Sequence, residues 1–262
     1  MRGIRSIKSA LPLFILAAAI IGLPPAGRAA EEEEKADSRS YAECLAMVNK
    51  DAEEAYETAI AWRDAGGGEP AKHCAAIALL GLGQYGDAAE RLETLAKELQ
   101  NSQPELSAET LSQAAQAWML ADKPGRAVDV VTAALKLDPG NPDLLVDRSV
   151  ARALAGEYWE SVDDLNQALE QRPDDAEALM FRASAYRYLE SLELARQDID
   201  RAVELRPKSQ DALLERGIIR RLEGDDDGAR ADWLKVLQLA PDSPAADNAR
   251  LNLEKLDVDT SQ

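Results

Sequence analysis

The chain has 262 residues and a formal charge of −18; 46% of its residues are hydrophobic, but only 5% are aromatic. That length can bury a substantial core in one or two domains. So few aromatic residues argue against an all-β fold, and so acidic a surface argues against binding nucleic acid or an anionic membrane face.

The first 29 residues do not belong to the fold. Arg2, Arg5 and Lys8 form a basic start, Leu11 to Leu23 is an uncharged apolar run, and Pro24-Pro25 precede Gly27-Arg28-Ala29. This is the layout of a secretory signal peptide cleaved after Ala29 or Ala30. The alternative, an uncleaved anchor, needs about 20 apolar residues, more than this run supplies. The mature chain is therefore expected to be exported, to the periplasm, without stable membrane insertion. Cleavage removes four positive charges and moves the formal charge from −18 to −22. Residues 30–38, with Glu31-Glu32-Glu33-Glu34 at their centre, read as a disordered acidic leader.

Cys44 and Cys74 are the only cysteines. An even number in an exported chain predicts a disulfide, with two buried free thiols as the alternative. Closing that loop contributes roughly 3 to 4 kcal/mol in the chain-entropy treatment. Tyr41–Asn49 and Asp51–Ala65 read as a shortened helical pair over 39–66, ended by Gly66-Gly67-Gly68.

Periodicity dominates the rest. Pro139, Pro173, Pro207 and Pro241 lie 34 residues apart and define units 108–141, 142–175, 176–209 and 210–243. An earlier unit, 69–102, shares Gly83-Gln84-Tyr85 and the following Ala88 and Leu92, and Asn101 to Ser107 then reads as a longer loop. Position 8 of the four units is Ala115, Ser149, Ala183 and Gly217; position 24 is Val131, Leu165, Ile199 and Trp233. Small residues also hold position 20 (Ala127, Ser161, Ala195, Ala229) and, save for Val236, position 27. Such columns let two helix backbones approach closely. Position 34 is Ser107, Asn141, Asp175, Ser209 or Ser243, each able to cap the next helix. The acids two residues later (Glu109, Asp143, Glu177, Asp211) favour the helix dipole. Proline at position 32 stops the second helix, and residues 245–257 read as a capping helix.

This 34-residue unit, small at 8, 20 and 27 with proline at 32, resembles the tetratricopeptide repeat (TPR). The resemblance covers residues 69–243. The family's position-4 tryptophan is leucine here, and its position-11 tyrosine becomes Trp118, Arg152, Tyr186 and Arg220. It implies an all-α, right-handed superhelical solenoid of helix-turn-helix hairpins with a capped C-terminus, and a protein or peptide partner held on the concave face. That face would carry Val146, Val150 and Leu154; Met180, Ser184, Arg187 and Tyr188; Leu214, Ile218, Arg221 and Leu222. It is an apolar stripe edged with arginine, suited to an amphipathic or extended segment bearing acids; the alternative is a stripe partly covered by packing.

Arginine at position 7 and aspartate at position 23 come and go together. Arg148/Asp164, Arg182/Asp198 and Arg216/Asp232 become Ala114/Val130 in unit 108–141. Partly buried ion pairs between the two helices of a repeat are expected, with a structural role. Enzymatic chemistry has little support. His73 is the only histidine, and Asp225-Asp226-Asp227 lacks the ligand spacing of a calcium loop. No cofactor or metal is expected. The sequence reads as a non-catalytic scaffold or adaptor, with a self-associating structural solenoid as the alternative.

Overall fold

The computed structural model describes residues 40–259. The signal peptide expected over 1–29 and the acidic leader expected over 30–38 lie outside the described residues. Among those described, the chain is helical with no strand. The helices are α1 (40–48), α2 (Ala52–Asp64), α3 (Gly68–Gly81), α4 (Tyr85–Leu99), α5 (Pro104–Leu120) and α6 (Pro124–Leu137). Then come α7 (Pro142–Ala155), α8 (Tyr158–Gln171), α9 (Ala176–Tyr188), α10 (Leu192–Leu205), α11 (Gln210–Leu222), α12 (Asp226–Leu239) and α13 (Pro244–Asp259). They form two compact units, divided between Pro139 and Gly140.

Each hairpin is built by the same local chemistry. Asn141, Asp175 and Ser209 accept backbone N–H groups at the starts of α7, α9 and α11, and Ser243 does so for α13. Ser107 does not cap. Pro104 already starts α5, so the extra residues lengthen that helix instead of forming a loop. Ser107 is buried within it and donates its hydroxyl to Ala96 O at 2.7 Å.

The turn inside each hairpin is equally regular. Position 15 is left-handed in all five repeats, at Gly83, Asp122, Gly156, Glu190 and Gly224. The next N–H bonds back to the carbonyl of position 11, as in Ser191 N to Tyr186 O at 2.9 Å and Glu157 N to Arg152 O at 2.8 Å. This is the six-to-one closure of a Schellman turn.

In residues 40–139, Cys44 on α1 is bonded to Cys74 on α3, with Cα atoms 6.3 Å apart. Beside it the Tyr41 hydroxyl lies 2.8 Å from His73 Nδ1, and His73 Nε2 lies 2.6 Å from Gln113 Oε1. Since Gln113 offers an acceptor, the neutral ring donates from Nε2 and accepts at Nδ1. Burial lowers the His73 pKa and raises that of Tyr41 to about 12. Three helices are thus tied to one imidazole. Where the repeat pattern lacks the Arg/Asp pair, Trp118 fills the hairpin. Its indole is buried and donates to Glu93, while Arg126 lies 4.7 Å above the ring.

In residues 140–259, each position-7 arginine grips the position-23 aspartate across its hairpin. Arg148 donates from Nε and Nη2 to Asp164 at 2.9 and 2.6 Å. Arg182 reaches Asp198 at 2.7 and 2.8 Å, and Arg216 reaches Asp232 at 2.8 and 2.7 Å. Two-pronged contacts of this kind fix the guanidinium plane as well as its distance. Two further arginines join. Arg152 Nη1 reaches Asp164 at 2.6 Å and Arg220 Nη1 reaches Asp232 at 2.8 Å. They occupy position 11, so where the family has an aromatic ring these two repeats have a second cation on a shared, buried carboxylate. In the repeat that keeps Tyr186, Arg182 instead takes Asn166 Oδ1 as its extra partner at 2.8 Å. Around these locks, Leu165, Ile199, Leu213, Ile219, Trp233 and Leu256 fill a continuous core.

Candidate functional site

The first helices of three repeats, α7, α9 and α11, form one face: α9 touches both α7 and α11. All eleven residues expected from the sequence to line a partner groove lie on these helices. None is fully buried. Tyr188 and Leu222 are 37% and 55% exposed, and the others are half-buried. Val146, Met180, Leu214 and Ile218 also pack against the core beneath. The stripe is therefore shared between core and surface.

Its arginine edge differs from the sequence expectation. Arg187 Nε donates to Glu215 Oε1 at 2.6 Å, and its guanidinium lies 4.3 Å above the Tyr188 ring. Tyr188 in turn stacks on Tyr158 with ring centres 4.6 Å apart. The Arg187 charge is met within the protein, because Glu215 on the next helix faces it. What the face offers here is an aromatic stack stiffened by a cation, not a free cationic rim.

The opposite end of the face is acidic. Asp143, Glu177 and Asp211 share position 2 of successive repeats. The Glu177 carboxyl is pushed above the ordinary carboxylate range, first by burial and then by Asp175, Asp143 and Asp211, with Arg206 opposing. Burial raises Asp211 likewise. The sequence assigns these acids to helix dipoles. Their 34-residue spacing was the signal that they line up across the repeats, with Asp143 met by Arg172 Nη2 at 2.6 Å and its charge still felt at Glu177. The face thus runs from a carboxylate row, across an apolar middle, to an aromatic end.

The residues with chemical potential elsewhere are engaged. Cys74 is in the disulfide, and both ring nitrogens of His73 have partners. Asp225 caps α12, accepting Gly228 N at 2.9 Å. Among the described residues, no three His, Cys, Asp or Glu side chains are grouped to hold a metal ion, and no helix is long and apolar enough to cross a membrane.

The tetratricopeptide-repeat profile matches residues 75–142, 113–176, 147–209 and 182–244, together more than half of the chain. The chain belongs to the tetratricopeptide-repeat family. Among solved structures, this TPR chain resembles TTC0263 of Thermus thermophilus, with a TM-score of 0.60 and 18% identity over 72% of this chain and 99% of that one. It resembles MamA from Desulfovibrio magneticus RS-1 with a TM-score of 0.55 and 23% identity, covering 65% of this chain and 94% of the other. A chain of the Cut9–Hcn1 APC/C hetero-tetramer gives a TM-score of 0.63 at 16% identity, over 82% of this chain and 42% of that one. Such identities establish the TPR fold alone. No curated protein matches the chain.

Proposed function

We propose that this protein is an exported, non-catalytic interaction scaffold that holds a protein or peptide segment against the α7–α9–α11 face. The observation that carries this reading is the half-exposed apolar middle of that face, bounded by the acid row and the Tyr158–Tyr188 stack. A side-by-side array of half-buried apolar groups loses further surface to water when a complementary segment covers it. Arg172 already meets Asp143 at 2.6 Å, so it is Glu177 and Asp211 that favour a segment whose apolar anchors are followed, on their side, by basic side chains. This revises the expectation of an acidic ligand, because Glu215 already meets Arg187. The leader sequence supports a periplasmic location, where Cys44 and Cys74 would meet an oxidising environment.

The test is affinity purification of the mature chain from the native cell envelope, compared with a Met180→Glu/Ile218→Glu version and a milder Ser184→Arg version. Retained helicity is required, since Met180 and Ile218 also contact the core. A protein co-purifying with the native face and lost from both variants supports the scaffold. Recovery of the bait alone as a higher oligomer supports a self-associating solenoid instead. The N-terminal sequence of the recovered protein reports whether cleavage follows Ala29 or Ala30.

A further inference from the structure

The hairpin turns of residues 140–259 form a second surface, which shares Leu222 with the end of the inner face but lies outside its apolar middle. Three turns follow one another: 156–160, 189–194 and 222–227. They are neighbours in space, because Tyr158 in the first stacks on Tyr188 beside the second, and Arg196 of α10 bonds Glu223 in the third. Large apolar side chains stand out at these turns. Trp159 is 61% exposed, Leu222 55% and Leu194 44%, high values for side chains whose hydration is unfavourable. The same segments hold eight carboxylates and no lysine or arginine, and all eight acids are exposed. Two are engaged internally, Glu223 with Arg196 and Asp225 as the α12 cap. The opposite turns of the same hairpins mix Arg172, Arg206 and Lys208 with Asp174, Asp175 and Asp242, so what distinguishes this edge is a run of acids without a cation. Acids in a first helical turn also favour the helix dipole. That accounts for Glu160, Glu193, Asp226 and Asp227 but not for Trp159 and Leu194 exposed beside them.

We infer that this edge is a docking site for a basic, amphipathic segment of another protein, its apolar side chains seated on Trp159, Leu194 and Leu222 and its lysines or arginines facing the turn carboxylates. Charge complementarity selects this occupant: an acidic helix or an anionic lipid surface is repelled, and a second copy of this chain would set like charges together.

The probe is a tryptophan-free, fluorescently labelled 16-residue peptide of Lys and Leu at helical spacing, titrated by anisotropy against the mature chain. An equal peptide with Glu for Lys is the control. Binding of the Lys peptide that weakens at least ten-fold in Trp159→Ser/Leu194→Ser, with every surface charge retained, supports the inference. Binding unchanged in that variant reports only attraction between opposite net charges and overturns it, as does equal binding of the Glu peptide. A concentration-dependent dimer abolished by the same variant, with no peptide binding, overturns it in favour of a second copy. Met180→Glu/Ile218→Glu leaves this titration unchanged, so the edge and the inner face fail or stand separately.

Discussion

Gly217 and Trp233 fill one gap between α11 and α12. A Cβ at 217 would lie 2.3 Å from the indole Nε1 of Trp233, where repeats with Leu165 or Ile199 accept Ser149 or Ala183. Gly217→Ala should therefore cost about 1–3 kcal/mol as overpacking, and adding Trp233→Leu should recover part of that loss. Urea unfolding of the four corners of this cycle measures the coupling; additive losses would mean that the residues do not compensate. The shared carboxylates make a second prediction. Asp164→Ala removes the carboxylate that Arg148 and Arg152 share, whereas Asp198→Ala removes that of Arg182 alone, which keeps Asn166 Oδ1. Removing one partner of a buried pair typically costs about 3–5 kcal/mol, and Asp164→Ala should be the more damaging of the two. The Arg/Asp columns were legible in the sequence because they vanish together in unit 108–141. Arg152 and Arg220 were legible only as departures from an aromatic column, and nothing in their spacing said that they share the same aspartate.

The hairpins show where local chemistry works against residue type. Position 15 needs a left-handed backbone, supplied by glycine in three repeats but by Asp122 and Glu190 at φ 63° and 60° in the others. A residue with a Cβ costs about 1–2 kcal/mol there. Glu190→Gly should thus raise the stability by about 1 kcal/mol after the greater unfolded-state entropy of glycine is set against it, read as a higher urea midpoint with unchanged slope. The sequence showed turns at Gly156 and Gly224; it hid the identical turns at Asp122 and Glu190, since neither residue advertises that geometry. The α1–α3–α5 tie gives a pH prediction. Burial lowers the folded His73 pKa below its ordinary 6.5. The unfolded chain therefore takes up a proton that the folded chain refuses, and stability falls as pH drops below 6.5, by at most about 1.4 kcal/mol per unit. His73→Gln should flatten that slope between pH 5.5 and 6.5; an unchanged slope would locate the dependence elsewhere. Tyr41, raised to about 12, works at the other limit, where stability is lost as pH rises from 10 towards 12.

At the scale of the whole molecule, the 34-residue period decides the fold, because proline and small-residue columns recur together through residues 108–243. It could not decide how much of the inner stripe is free, since Val146, Met180, Leu214 and Ile218 belong to core and surface at once. Nor could it show that Glu215 would neutralise Arg187, a contact between successive repeats 28 residues apart in sequence. The central claim is that the α7–α9–α11 face receives a partner. Its most direct test is a photo-reactive residue placed at Ser184, in the middle of that face, and in a second version at Gln167 on the exposed side of α8. After irradiation of intact cells, a cross-link to a different protein from position 184 and none from 167 is the predicted result. No adduct from 184, or the same adducts from both positions, would contradict the claim.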